Sequence, residues 1–298
     1  MSDPKLHHFV PQFYLRRFTD ADGLLWVWNR DSDKAFRTNP TNVAAQNYFY
    51  LLAELIPLGH DPLTMERQFP QIEHEVAAIT EQWLHWLRLA DVYDQIEIPD
   101  INREIVAMFI ALQFLRTEDA RQILGLMAED AEASASISEE EKRCIHTDLL
   151  WDEPIVKDLA KRIQDSVWVF ARNDTDVSFL TSDNPVAFRT ADNRRWVKVG
   201  FYSAGTYVVY PIAPDIIMYC YPRESPGDQL IKFDRMLSPV QMTKEMVESE
   251  NSGQVFMASR FVFSLDGDFA YARSFAPSIG TDLYGPDKEN PVGPKASG

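Results

Sequence analysis

The hydrophobic period of the chain changes near residue 166, and this change constrains the fold more than any other feature. From Pro70 to Leu89 apolar residues recur every three or four positions, and the helical pattern continues to about Ser166. From Val167 to Pro222 the chain carries short β-type runs separated by Asn, Asp, Pro and Gly. We therefore predict an α+β fold, in which a central helical bundle precedes an antiparallel sheet built from the C-terminal half.

Local sequence signals predict where the helical part and its individual helices begin. The helical part is predicted over about residues 63–166. Asp100 is a candidate N-cap for a long second helix that we expect to continue without a break through Arg116. Ser138, with Glu141 three positions later, has the pattern of a capping box and predicts the start of a third helix.

The two ends of the chain have opposite characters. Aromatic and β-branched residues around a short polar break predict a β-hairpin over residues 24–39, which we expect to join the C-terminal sheet of residues 167–222. The last stretch, residues 281–298, is rich in Gly, Pro and charge and is predicted to be a disordered tail. Residues 1–280 are therefore expected to form a single α+β domain.

Charge and cysteine content narrow the functional classes. The 298 residues carry a net charge of -16, which repels nucleic acid at long range, so binding to nucleic acid would require a local basic patch. The two cysteines, Cys144 and Cys220, are far apart, which excludes a disulfide framework and a zinc site of four sulfurs.

No membrane segment is expected. The start of the chain, MSDPKLHH, has no apolar region of the kind found in secretory signals. The longest apolar run, residues 105–115, is too short for a bilayer, which requires about 20 residues. We therefore predict a cytoplasmic protein with no membrane partner.

An unusual motif, LHHFVPQFYLRRF, occupies Leu6–Phe18 near the start of the chain. It has too many aromatic residues for a free tail, so we expect it to be docked and largely buried. The adjacent His7 and His8 would point to opposite faces of an extended strand, so at most one of them can face a given pocket. His8 is a candidate acid–base group or metal ligand, and the alternative is a histidine that only hydrogen-bonds to backbone.

A second motif, FLTSDNPVAF, places polar residues between two apolar strands. Asp183 precedes Asn-Pro, a sequence that favours a tight turn, and such a turn could hold its carboxylate rigidly at the end of a strand. Ser182 or Asn184 could supply a neighbouring hydrogen-bond donor. The alternative is that the turn is purely structural.

A third motif, QFLRT, follows the apolar run of the second helix. Gln113 and Arg116 are three positions apart and share a helix face. An arginine at the end of an apolar stretch must reach water or meet a carboxylate, and Asp183 or Glu73 are the candidate partners.

The chain contains, in this order, the motifs HHFVPQFYLRRF, NYFY, QFLRT and FLTSDNPV. Together these motifs resemble those of the bacterial and fungal family known as domain of unknown function 4238. The resemblance extends from His7 to about the last predicted helix. It implies that certain residues are positions of the family motifs, namely His8, Arg116, Ser182, Asp183 and Asn184. The resemblance groups the chain and implies no activity.

Two functional hypotheses follow. In the first, His8, Arg116 and Asp183 line one pocket as base, anion clamp and carboxylate of a phosphoester hydrolase, such as a nuclease or nucleotide hydrolase in a defence or toxin setting. A divalent metal is a candidate cofactor, and an anionic molecule is the expected ligand. The remaining binding candidates are Ser182, Asn184, Glu73 and Gln113, and the candidate metal ligands are His8, Asp183 and Glu73. In the second hypothesis, the same polar groups form a structural network in a non-catalytic binding protein.

Overall fold

The computed structural model describes residues 5–132, 136–198, 200, 205–224 and 228–279. The predicted tail, residues 281–298, lies outside the described residues. The helices are α1 Gln12–Leu15, α2 Thr64–Leu89, α3 Asp100–Leu115, α4 Glu118–Glu132, α5 Glu139–Trp151, α6 Glu153–Asp165, α7 Asp228–Ile231, α8 Lys244–Met257 and α9 Ala270–Ile279. The strands are β1 Leu6–His8, β2 Leu25–Asn29, β3 Lys34–Thr38, β4 Ala45–Asn47, β5 Val167–Arg172, β6 Thr181–Ser182, β7 Ala187–Thr190, β8 Trp196–Val197, β9 Thr206–Ala213, β10 Ile216–Tyr221, β11 Val240–Gln241 and β12 Phe261–Ser264.

The strands form three sheets. The largest has six strands in the order β11-β5-β10-β9-β7-β8, and the second has four in the order β3-β2-β12-β6. The third pairs β1 with β4. Every pairing is antiparallel except that of β11 with β5, which is parallel. The predicted α+β class is therefore confirmed, with helices α2 to α6 between strands from both ends of the chain.

The N-terminal hairpin joins strands of the C-terminal half by a different route from the one expected. Strands β2 and β3 pair as the predicted hairpin, but β2 pairs on its other side with β12, which pairs in turn with β6. The hairpin thus belongs to the four-stranded sheet and does not extend the six-stranded one. Since β12 follows the last long helix, no local pattern could have revealed this partner.

Two helices differ from the sequence prediction. The second helix is interrupted after Leu115, because Thr117 acts as a cap whose Oγ1 accepts a hydrogen bond from the Ala120 N–H at 3.2 Å and starts α4. Helix α2 begins at Thr64 and continues through Pro70. A proline in a helix removes one backbone hydrogen bond, but here the helix tolerates the loss. The capping box at Ser138 is confirmed.

The segment from Leu6 to Phe18 is ordered and its aromatic side chains are largely buried, as predicted. The Tyr14 hydroxyl lies 2.6 Å from both Thr181 Oγ1 and the Pro211 carbonyl, so it connects the four-stranded sheet to the six-stranded one. The ring of Phe13 packs against that of Phe109 on α3. The N-terminal segment is therefore part of the core.

Within the described part of the chain, no helix has the length and apolar character needed to cross a membrane. The single-domain boundary at residue 280 stays a prediction.

The bridging role of Tyr14 makes a prediction about stability. The substitution Tyr14→Phe removes the hydroxyl, so the buried Thr181 side chain and the buried Pro211 carbonyl each lose a hydrogen-bond partner. We expect the free energy of unfolding to fall by about 1–3 kcal/mol, as measured by urea denaturation. The matched control is Tyr93→Phe, since Tyr93 is 88% exposed, and we expect a change within about 0.5 kcal/mol. Equal losses in the two variants would contradict the bridging role.

Candidate functional site

An open cavity of about 340 Å³ lies beside the N-terminal motif. This volume is within the range of small-molecule sites, about 300–1,000 Å³. One wall comes from residues 8–16 and the other from the first four turns of α2. The cavity is lined by His8, Pro11, Gln12, Phe13, Arg16, Glu66, Phe69, Pro70, Glu73, His74 and Ala77.

His8 ends β1 and is the residue of the predicted site with the clearest access to the cavity. Its Nε2 lies 3.1 Å from the Thr41 carbonyl oxygen, which can only accept a hydrogen bond, and 3.4 Å from the Gln12 amide nitrogen. The contact with the carbonyl is the shorter of the two. We therefore assign the ring proton to Nε2, so that Nδ1 carries the lone pair. Burial lowers the pKa of His8 below its ordinary value, and the nearby Arg116 adds to this effect. The ring is accordingly neutral and basic at neutral pH.

Glu66 is the functional residue that the sequence analysis left out of the site. Burial raises the pKa of its carboxyl to about 7, and the negative charge of Glu73 contributes, while Arg116 opposes the shift. A carboxyl with a pKa near 7 can both donate and accept protons under physiological conditions. The neighbouring His7 is buried, and its Nδ1 lies 4.0 Å from Glu66 Oε2 and accepts the Tyr50 N–H at 3.0 Å.

The sequence did contain a signal for Glu66. Glu66 and Glu73 are seven positions apart, and residues at this spacing share a helix face within about 20°. Pro70 lies between them, but α2 includes both residues, and both line the cavity.

Arg116 is 1% exposed and lies behind the cavity wall. Its Nη1 donates to Glu73 Oε1 at 2.8 Å, which confirms that it meets an internal carboxylate. Its Nε donates to the Phe9 carbonyl at 3.1 Å, and its guanidinium carbon lies 5.0 Å from the centre of the Phe69 ring. Arg116 thus orients Glu73 and holds the N-terminal segment, and it is not itself among the residues that line the cavity.

Gln113 lies inside the fold and has a structural role. It is fully buried on α3, and its Nε2 donates to the same Phe9 carbonyl at 3.0 Å. The Gln113 and Arg116 side chains therefore converge on one backbone oxygen of the N-terminal motif. Because the two residues share a helix face, both side chains can reach this oxygen.

Asp183 lies elsewhere, in contrast to the expectation of a pocket shared with His8 and Arg116. Its carboxylate accepts three backbone N–H groups, those of Ser259, Arg260 and Phe261, at 2.8, 2.8 and 2.9 Å. It does not line the cavity beside His8. Burial raises the pKa of Asp183 to about 7, although these three hydrogen bonds oppose the shift. The carboxylate thus organises the turn between α8 and β12.

Ser182 and Asn184 belong to the same buried region as Asp183. Ser182 Oγ lies 2.9 Å from the Asn184 carbonyl and 3.1 Å from Gln254 Oε1. Asn184 Nδ2 donates to Asp119 Oδ2 at 2.8 Å. Asp119 also pairs with the buried Lys198. The FLTSDNPVAF motif therefore forms a second polar cluster of its own.

The candidate metal ligands are divided between the two regions, since His8 and Glu73 line the cavity and Asp183 caps the distant turn. Across the ranges that the structure describes, no three His, Cys, Asp or Glu side chains are arranged to hold a metal ion. The His8 cavity therefore offers acid–base groups and not a set of metal ligands.

The contacts of Arg116 predict a large effect on stability. Arg116→Ala leaves the Phe9 carbonyl and Glu73 without their shared donor, so we expect a loss of about 3 kcal/mol in the free energy of unfolding. Glu73 retains some contact with water, which keeps the value at the lower end for buried pairs. The control Arg194→Ala removes an exposed arginine and should cost less than about 1 kcal/mol. A similarly small loss for Arg116→Ala would show that the pair is dispensable.

The role assigned to Asp183 can be tested in the same way. Asp183→Ala removes the acceptor of three partly buried N–H groups, and at about 1 kcal/mol each the loss should reach ~3 kcal/mol by urea denaturation. The control is Asp176→Ala, because Asp176 is 76% exposed and pairs with the half-exposed Lys244. If both variants unfold at the same urea concentration, the carboxylate does not support the turn.

Comparisons with known proteins agree with the family resemblance of the sequence. A family model described as Protein of unknown function (DUF4238) matches residues 6–268. No curated protein and no solved structure matches the chain. The matched span includes the His8 cavity, the Arg116 contacts and the Asp183 turn, and it covers most of the 298 residues. The chain therefore belongs to the DUF4238 family.

Proposed function

We propose that the His8 cavity is the active site of a hydrolase that cleaves a phosphodiester. The observation that carries the proposal is the pairing of two acid–base groups in one open cavity. Glu66 has its pKa raised to about 7, and His8 is held neutral with its lone pair on Nδ1. Perturbed titratable groups that converge in a cavity are typical of catalytic sites.

The local charge is compatible with an anionic substrate despite the acidic total. Glu73 is neutralised by Arg116, which is 2.8 Å away. Glu66 is about half protonated at neutral pH, because its pKa lies near 7. Arg16 adds a positive charge at the edge of the cavity, where its Nη2 donates to Gln12 Oε1 at 3.0 Å. These balances support a phosphodiester, which carries a single negative charge.

The two groups have complementary roles in this proposal. His8 Nδ1 takes a proton from the attacking water, and protonated Glu66 gives a proton to the leaving alkoxide. Arg116 acts as a positioning residue, because it holds Glu73 in place and lowers the pKa of both groups. The role of anion clamp predicted for Arg116 passes to Arg16, which lines the cavity.

The decisive variant is Glu66→Gln, which keeps the shape of the side chain and removes its proton chemistry. We expect hydrolysis of bis(para-nitrophenyl) phosphate and of a panel of nucleotides and nucleic acids to fall by a factor of about 100 or more. The matched control is Glu75→Gln, an exposed glutamate on the same helix, which should retain full activity. Equal activity of the two variants would refute the role of Glu66.

The pH profile provides a second readout of the same prediction. Activity requires protonated Glu66, so it should decline as pH rises through about 7. It also requires neutral His8, whose pKa is lowered from 6.5, so it should rise through a pH below that value. The profile should therefore be a narrow bell, and Glu66→Gln should abolish its alkaline limb. An alkaline limb that persists in Glu66→Gln would assign the titration to another group.

A second candidate function has its own support. Five of the seven predicted site residues, Gln113, Arg116, Ser182, Asp183 and Asn184, are buried and hydrogen-bonded within the protein. This favours a binding protein in which the motifs are a frame and the cavity only recognises a ligand. If the wild type cleaves no member of the panel but calorimetry detects nucleotide binding that Arg16→Ala weakens, the binding function is the correct one.

A further inference from the structure

A buried triad of a lysine, an aspartate and an asparagine lies in the second polar cluster, away from the His8 cavity. Asp119 comes from the first turn of α4, Asn184 from the turn between β6 and β7, and Lys198 directly follows β8. All three side chains are almost fully removed from solvent. None of them has a role in the proposed hydrolysis.

The triad is arranged around one carboxylate. Lys198 Nζ lies 3.1 Å from both oxygens of Asp119, and Asn184 Nδ2 donates to Oδ2 of the same carboxylate at 2.8 Å. The amine nitrogen and the amide nitrogen therefore share a single oxygen atom. Among the described residues, Asn184 Oδ1 is a buried atom with no hydrogen-bond partner. A neutral structural amide would normally have both of its ends satisfied.

We propose that Lys198 and Asn184 become joined by an intramolecular isopeptide bond, with Asp119 as the proton carrier between them. The geometry points to this reaction because a nucleophile and an acyl group both contact one general acid–base group, and all three side chains are buried. The bond would connect the end of β8 to the turn that precedes β7.

The reaction needs the lysine and the aspartate in their neutral forms. Transfer of the lysine proton to Asp119 replaces two buried charges with two neutral groups, which desolvation favours. Burial raises the pKa of Asp119, although Lys198 opposes the shift. The aromatic ring of Phe256 lies 5.4 Å from Lys198 Nζ and adds to the apolar enclosure. The Met257 carbonyl, 2.8 Å away, fixes the direction of the nitrogen.

The atoms balance without any further reactant. The lone pair of neutral Lys198 Nζ attacks Asn184 Cγ, a C–N bond forms, and the amide oxygen becomes an oxyanion. Protonated Asp119 gives its proton to Nδ2, the Cγ–Nδ2 bond breaks, and ammonia leaves. Asp119 recovers a proton from Nζ. The sum converts an amine and a primary amide into a secondary amide and ammonia, with no change in oxidation state.

The test is the intact mass of the purified full chain, measured by mass spectrometry under denaturing and reducing conditions. We expect the mass to be lower than that of the sequence by one ammonia molecule. A mass equal to that of the sequence would overturn the proposal. Loss of one water molecule would also overturn it, because that product joins Lys198 to Asp119 and leaves Asn184 unmodified.

A tryptic digest locates the bond. Trypsin does not cleave after an acylated lysine, so residues 173–189 should appear covalently joined to residues 196–223. Two separate peptides, with normal cleavage after Lys198, would contradict the assignment even if the intact mass were low.

Three variants separate this bond from other sources of ammonia loss. Lys198→Arg retains the positive charge without the nucleophilic amine, and Asp119→Asn retains the shape without the carboxylate. Both should have the full mass expected from their sequences. Lys244→Arg, at an exposed lysine paired with Asp176, should keep the loss of ammonia. If Lys198→Arg still showed the loss of ammonia, the proposal would be overturned. The intact mass can be measured even for a variant that is partly unfolded.

Discussion

The carbonyl oxygen of Phe9 is the point on which much of the structure depends. Gln113 and Arg116 both donate to it from the end of α3, and they tie the N-terminal segment to the helical bundle. Since Arg116 also holds Glu73, the same interaction sets the wall of the cavity. A buried guanidinium costs free energy unless its donors are satisfied. Here the Phe9 carbonyl accepts from Nε and the Glu73 carboxylate accepts from Nη1, while Nη2 is buried and has no hydrogen-bond partner among the described residues. One desolvated cation therefore couples the docking of the chain start to the shape of the site.

The two halves of the motif set have different physical roles. Around His8, side chains remain partly open to solvent, and burial raises the pKa of Glu66 to about 7. The Asp183 carboxylate, in contrast, accepts hydrogen bonds from three backbone N–H groups, and these bonds make the turn rigid. Both residues have conspicuous sequence surroundings, but of the two only His8 lines the open cavity.

Burial acts on these titratable groups in opposite directions. It raises the pKa of Glu66 and lowers that of His8, because in each case it disfavours the charged form. His146, fully buried beside Arg121, shows the extreme, since its pKa falls to about 3 and its Nε2 contacts the Leu115 carbonyl. His146 is therefore a structural histidine, whereas the cavity retains Glu66, whose pKa is raised to about 7.

The sequence alone determined the α+β class, the capping box at Ser138 and the burial of the N-terminal aromatics, because local periodicity and composition encode them. It also gave Glu73, as an alternative to Asp183, as a candidate partner for Arg116. Only the tertiary structure decided that β12 pairs with β2 of the hairpin, that α2 continues through Pro70 and that Asp183 lies apart from His8. These outcomes depend on contacts between distant segments, such as Phe261 with Asp183 and Asn29, and no local pattern specifies which remote backbone group will satisfy a given polar side chain.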